Sequence, residues 1–221
     1  MAGKVFFHVT MSLNGFMAPE AVPYEDVVSP EKRDDPMVKR WMSKWSELQA
    51  WAFPQRFFRE NLKLGEGGEE GIDNDVARQT FDRTGASVMG KRLFDAGELS
   101  WPAEAPFHTP VFVVTHTRRE PWERPGGTTF HVVNDGISSA RARAREAAGD
   151  RDVRIAGGGA TILEYVNAGL VDEFSIALSP VLFGAGTRLF DGVDASRVAL
   201  EPVRSEPSSR VTHLTYAVHP R

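Results

Sequence analysis

Three features of the sequence predict an α/β fold in which a mainly parallel sheet is covered by helices on both faces, a three-layer arrangement. From Ala86 onward, short apolar or β-branched runs alternate with helical stretches of about ten residues, the order that parallel βαβ units require. Pro110–Thr115 is a near-continuous apolar run, the signature of a strand buried on both faces. The C-terminal end is rich in strand patterns, which predicts an antiparallel hairpin closing the sheet.

The elements follow in order. Val5–Thr10 is β-branched and aromatic and predicts the first strand, closed by the polar turn Ser12–Gly15. A non-strand insertion is expected from about 19 to 84, loop-like at first because Pro19, Pro23, Pro30 and Pro36 punctuate it. Within it, Trp41, Trp45 and Leu48 form a helical stripe in Met37–Trp51. Leu64–Gly71 is acidic and glycine-rich and reads as a mobile loop, and Asp73 reads as the N-cap of a helix running to Asp82. Ala86–Met89 is a buried strand, Gly90–Ala96 a turn entering a helix, and Thr128–Val133 a further strand. Gly136–Ala148 is a helix with Gly149 at its C′ position. Val153–Ala156 is a strand, Gly157–Gly159 a tight turn, and Ala160–Ala168 a helix stopped by Gly169. Asp172–Pro180 and Arg210–His219 read as strands near the sheet edge, with Ala199–Arg204 weaker between them. No composition break or repeat divides the chain, so residues 1–221 are expected to form one domain.

Bulk properties exclude several functions. Lys and Arg number 26 against 30 Asp and Glu, a net charge of −4 that gives no electrostatic case for nucleic acid or an anionic membrane. Without cysteine there are no disulfides, thiolate metal sites or cysteine nucleophiles. The stretch Met1–His8 has no signal-like apolar core, and no run approaches the roughly 20 apolar residues of a membrane span; a cytoplasmic protein is expected. There is no G-x-S-x-G or H-E-x-x-H. His8, His108, His116, His131, His213 and His219 lack metal-ligand spacing and read mostly as satisfied structural histidines. Arg141, Arg143 and Arg145 alternate along a helix and read as a solvated surface.

Chemistry gathers at the ends of the parallel strands. Arg154–Leu163 runs a buried strand through Gly157, Gly158 and Gly159 directly into a helix, where backbone N–H groups of Ala160 and the hydroxyl-bearing Thr161 suit a phosphate. Ile162 replaces the third glycine of the usual dinucleotide fingerprint. Gly90, Lys91 and Arg92 place two cations at a second helix start, which suits either a bound anion or solvent. Thr115, His116 and Arg118 follow a third strand, and arginine offers a planar fork for phosphate. In open α/β sheets ligands collect at this edge.

The motifs resemble a known family. Val9–Ala18, reading VTMSLNGFMA, is similar to the S-L-D-G-F-I-A opening of the dihydrofolate-reductase-like superfamily, and Met89–Phe94 to its M-G-R-K-T-F motif. Gly157–Gly159, Ala168–Glu173, Ser179–Gly186 and Leu189–Phe190 resemble the most diagnostic run of the riboflavin-biosynthesis reductase domain and its stand-alone bacterial relatives. The resemblance implies the dihydrofolate-reductase-like fold, NADPH as hydride donor, a small heterocyclic substrate and a homodimer. It implies that Gly90, Lys91 and Arg92 approach the cofactor phosphates, that Thr115, His116 and Arg118 surround the 2′-phosphate, and that Gly157–Thr161 hold the pyrophosphate across a cis Gly157–Gly158 bond. Thr10, Met11, Ser12 and Asn14 would flank the nicotinamide, with Ser12 and Asn14 the candidate catalytic residues. Trp51, Phe53 and Leu182 are the candidate substrate contacts, the first two within the insertion, whose residues Tyr24–Asp75 act as lid or substrate wall. Two departures stand out: Asn14 replaces the usual aspartate, and no carboxylate is assignable to proton delivery, Glu47 and Asp75 being the nominees. The alternative is a dinucleotide-binding sensor or partner module without turnover.

Overall fold

A computed structural model describes residues 3–20 and 22–221; Met1 and Ala2, part of the N-terminal stretch discussed above, and Ala21 lie outside the described residues. The chain begins with β1 (Val5–Ser12) and β2 (Phe16–Pro19). The insertion follows, with α1 (Tyr24–Val28), α2 (Pro36–Leu48), α3 (Arg56–Asn61) and α4 (Ile72–Asp82). Then come β3 (Thr84–Gly90), α5 (Lys91–Ser100), β4 (Val111–Val114), β5 (Trp122–Arg124), β6 (Thr128–Val133), α6 (Ile137–Ala148), β7 (Asp152–Gly157) and α7 (Gly159–Asn167). The chain ends with β8 (Glu173–Ser179), β9 (Gly186–Arg188), β10 (Val198–Pro207) and β11 (Thr212–Pro220).

The main sheet has the order β10-β11-β8-β1-β7-β3-β4-β6-β5, and β2 and β9 form a separate antiparallel ribbon. The pairs from β8 through β6 are parallel, and β10, β11 and β5 add antiparallel margins. The expected C-terminal hairpin is therefore present. β8, however, lies inside the sheet rather than near its edge, and β10 is a ten-residue edge strand, longer than its weak pattern suggested.

Alternation along β1 divides the molecule. Val5, Phe7 and Met11 point to one face, joining Val153, Ile155, Phe174 and Ile176 beneath Ala140, Ala144 and Ala148 of α6 and Ile162 and Tyr165 of α7. Phe7 stacks on Phe174 at 4.9 Å. Gly85 lets α6 approach the sheet, because a Cβ there would lie 2.8 Å from the Ala148 backbone. Truncating Phe7 to Ala would cost about 3–5 kcal/mol. The opposite face is covered by α5 over Met89, Val111 and Val113, and by the insertion over β1, β8 and β11.

Local chemistry explains several boundaries. Asp35 caps α2 by accepting hydrogen bonds from Met37 and Val38 N–H, with Pro36 at the first helical position. At α4 the cap is Gly71 instead of the expected Asp73, which is buried in the first turn and committed to a partner described below. The Leu64–Gly71 segment, expected to be mobile, is anchored: Gln55 bridges Glu69, Arg210 reaches Glu69 at 2.6 Å and Arg56 reaches Glu70 at 2.5 Å. Arg145, expected to be solvated, donates to the Gly3 carbonyl and to Asp172. No helix among the described residues is long and apolar enough to cross a membrane.

Candidate functional site

Adjacent parallel strands β7, β3 and β4 deliver their C-terminal ends to one edge, where Met89 pairs with Gly157 and Gly90 with Val114. The Gly157–Gly158 peptide is cis, as the resemblance implies, and Gly157 has φ +129, a value suited to glycine. Gly90 and Thr161 meet: a Cβ on Gly90 would fall 2.3 Å from the Thr161 hydroxyl, so the N-termini of α5 and α7 lie side by side. Neither helix has a side-chain cap or an acid in its first turn. Their leading N–H groups therefore lack intrahelical partners and favour an anion. Space exists for one, because nothing lies within 4 Å of a Cβ built on Gly158. Met17, from the β2–β9 ribbon, roofs Gly159.

Charge at this edge is positive. Lys91 and Arg92 are exposed, Lys91 pairing with Asp95 one turn on. Thr115 donates its N–H to Val133 and accepts from Thr117, holding a turn that presents His116 and Arg118 to solvent. Arg119 is different: it pairs with Glu98 at 2.7 Å and lies over Phe94 and Trp122. Glycine turn, paired helix starts and exposed cations suit a phosphorylated dinucleotide such as NADPH, so the residues fit the group implied by the resemblance.

The β1–β2 turn is a closed hydrogen-bonded unit. Ser12 Oγ donates to Asn14 Oδ1 and accepts from the Phe16 N–H, while Asn14 holds Phe183 through both its N–H and its carbonyl. These contacts fasten the segment after β8 to the turn. Leu182 beside it is 71% exposed, Phe53 is at the surface against Phe58, and Trp51 is buried. Phe58 packs against both the cluster that holds Trp51 and the Phe53 ring. Two surface grooves of about 320 and 140 Å³ lie elsewhere on the insertion, against α2.

The sequence reading missed a polar cluster under the insertion. Thr10, Ala177 and His213 are aligned across β1, β8 and β11, and His8, Ser175 and Thr215 form the next row. Trp51 donates its indole N–H to Thr10 Oγ1 at 2.9 Å, and Thr10 donates to Gln49. His213 Nε2 contacts Asp73 at 2.7 Å, and His8 Nδ1 contacts Thr80 at 3.0 Å. His213 Nδ1, His8 Nε2 and Arg154 Nε are buried without partners, so these histidines are only half satisfied. Burial, then the charge of Arg154 and the proximity of His213, push His8 down to about 3; burial pushes Arg154 down to about 10. The buried carboxylate of the insertion is Asp73; Glu47 and Asp75 are both exposed. A signal was present: His8, Thr10 and Ser12 alternate with Phe7, Val9 and Met11, a polar face on a strand that sits inside a sheet. No cluster of metal-ligating side chains occurs among the described residues.

Comparison with known proteins identifies the family and the fold. The family model described as the RibD C-terminal domain matches residues 3–214. YyaP of Bacillus subtilis (strain 168), an uncharacterized protein, is 34% identical over 85 residues, 38% of this chain and less than half (44%) of that protein. Dihydrofolate reductase of Enterococcus faecalis, solved with NADP(H), superposes with a TM-score of 0.53 at 14% identity over 100% of this chain and 98% of that one. The Thermotoga maritima diaminohydroxyphosphoribosylaminopyrimidine deaminase/5-amino-6-(5-phosphoribosylamino)uracil reductase gives 0.55 at 15% identity, covering 98% of this chain and 56% of its own. These likenesses establish the dihydrofolate-reductase-like fold.

Proposed function

Because the chain belongs to the RibD C-terminal domain family, we propose that it is an NADPH-dependent reductase acting on a C=N or C=O bond of a small heterocycle of pterin or pyrimidine type. The observation that carries the reading is the convergence of two uncapped helix starts and the Gly157–Gly159 turn on open space beside exposed Lys91, Arg92 and Arg118. The solved relative that holds NADP(H) and the one whose name includes a uracil reductase activity support it.

In this reading Gly157–Thr161 and the α5 start bind the pyrophosphate, and His116 and Arg118 take the 2′-phosphate that distinguishes NADPH from NADH. When bound, NADPH supplies the hydride. Thr10 and Met11 border the nicotinamide end. Ser12 and Asn14 hold the β1–β2 turn against Phe183, so their contribution is to fix its shape rather than to transfer a proton. The insertion excludes water from the covered sheet face, and remote contacts position the two rings for transfer. The proposal includes a homodimer working in the cytoplasm; a monomer by light scattering would remove the first of these.

The test is NADPH consumption with a panel of pterin, aminopyrimidine and cyclic imine acceptors. Oxidation dependent on one acceptor class is the expected result. Cofactor binding with no turnover across the panel would instead favour a dinucleotide-binding sensor or partner module, a reading favoured by the closed hydrogen bonding of Ser12 and Asn14.

A further inference from the structure

The two cation-bearing segments of the candidate cofactor site stand on different elements. Lys91 and Arg92 open α5, whereas His116 and Arg118 follow β4 in a stretch that belongs to no helix or strand. The hydrogen bond from the Thr117 N–H to Thr115 Oγ1 closes the first turn of that stretch, and sheet pairing resumes with Trp122 of β5. Residues 118–121 between them are exposed. Arg119 ties them to α5. It pairs with Glu98 at 2.7 Å, and its guanidinium lies 5.3 Å from the ring centroid of Phe94 and 5.2 Å from that of Trp122. Phe94 and Glu98 are four residues apart, so Arg119 grips one face of the helix whose first turn carries Lys91 and Arg92. The rings it rests on are themselves held. Phe94 is buried, and Trp122 stacks on Phe130 beneath Arg124, which donates to the carbonyls of Pro102 and Ala103.

We propose that Arg119 and Glu98 are positioning residues that fix the spacing between the two phosphate subsites, and so make the neighbouring Arg118 selective for a dinucleotide with a 2′-phosphate. The proposal rests on the reductase reading and adds to it how this chain discriminates NADPH from NADH. A guanidinium on an unanchored loop must be ordered when it binds, which lowers affinity; one held in place beforehand is spared that loss. NADH has no 2′-phosphate for Arg118 to reach, so anchoring leaves its binding unchanged. An exposed ion pair of this kind is worth up to about fivefold, and a guanidinium resting on aromatic rings adds about twofold to fivefold. Sign separates positioning from plain electrostatics. Glu98→Gln removes a negative charge beside a site for anions, which by charge alone tightens NADPH. Positioning predicts the reverse.

Glu98→Gln, Arg119→Lys and Arg118→Ala are titrated calorimetrically with NADPH and, separately, with NADH. Glu98→Gln should weaken NADPH about twofold to fivefold and leave NADH unchanged. Arg119→Lys keeps the charge but loses the planar fork, and should act in the same direction. Combined with Arg118→Ala, neither substitution should alter NADPH further, because both act through Arg118. In the free protein, trypsin should cut after Arg118 faster in Glu98→Gln than in the parent, since the loop is released. Tighter or unchanged NADPH in Glu98→Gln, an equal loss for NADH, or an unchanged rate of cleavage overturns the proposal. A preference for NADPH that is lost in Arg118→Ala but kept in both other variants rejects the positioning role alone. An Arg118→Ala protein that prefers NADPH as strongly as the parent rejects the 2′-phosphate reading itself.

Discussion

Gly158→Ala separates binding from folding more cleanly than other substitutions in the glycine turn. Gly158 has φ −75 and ψ −176, values that alanine adopts freely, and beyond the adjoining Gly157 and Gly159 no atom lies within 4 Å of the added methyl. The folded protein should therefore lose nothing. Restricting the unfolded chain should stabilise it by about 0.4–1 kcal/mol, a rise of roughly 1–4 °C in Tm for a chain of this size. Gly90→Ala and Gly159→Ala are less informative, because their methyls would strike the Thr161 hydroxyl and the Met17 sulfur. A phosphate oxygen bonded to a backbone N–H sits about 2.9 Å from the nitrogen. The new methyl would occupy the space from which it approaches. NADPH affinity should fall at least about tenfold, or 1.4 kcal/mol. Thermal denaturation and calorimetric titration read the two halves independently. Raised Tm with NADPH affinity unchanged within about threefold would refute the assignment of the turn to phosphate. A lowered Tm would refute the claim that the space is free.

Other consequences are equally direct. Arg118→Ala should weaken NADPH much more than NADH in paired titrations, and equal losses would remove the 2′-phosphate assignment. His8 is held near 3 in the folded protein against 6.5 when unfolded, so its neutral form adds stability that is complete above about pH 6.5 and is lost as pH falls toward 3. His8→Asn should flatten denaturation midpoints across that window, and an unaltered pH slope would show that His8 is not buried as described. At the N-terminal end of the sheet, Arg83 bridges Asp152 at 2.5 Å and Glu173 at 2.6 Å, with Lys4 on the same Glu173. Burial alone would raise the Glu173 carboxyl, but the hydrogen bonds and charges of Lys4 and Arg83 outweigh it and hold it below its ordinary 4.5. That contribution is present above about pH 4.5 and lost below it. Arg83→Ala should cost about 1–3 kcal/mol in urea denaturation at neutral pH, and no measurable change would show that solvent screens the cluster.

The parallel core was legible where its strands carry apolar runs that no polar alternation interrupts, as Val111–Val114 shows, and in β7 by the turn that follows it, since Arg154 stands between Val153 and Ile155. The glycine turn was legible because Gly157–Gly159 stands between a strand and a helix with no other purpose for three flexible residues. Short margins were not. β2, β5 and β9 have three or four residues each, too few for a period to register, and the exposed β10 carries Glu201, Arg204, Ser205 and Glu206. Its bulge between Pro202 and Arg204 breaks the alternation further. Asp73 looked like a cap because local spacing permits one, but the helix is capped by Gly71, and the carboxylate meets His213, 140 residues away. Contacts of that separation leave no trace in local patterning. The histidines looked satisfied for the same reason: which nitrogen finds a partner depends on Thr80 and Asp73 from another layer.

The central claim is that the edge formed by Gly90, Arg118 and Gly157–Thr161 holds NADPH. Calorimetric titration of the purified protein with NADPH and, separately, with NADH tests it most directly. The account predicts micromolar binding of NADPH and clearly weaker binding of NADH. Binding of neither would mean that the glycine turn and the arginine loop serve the fold alone, and would contradict the reductase reading.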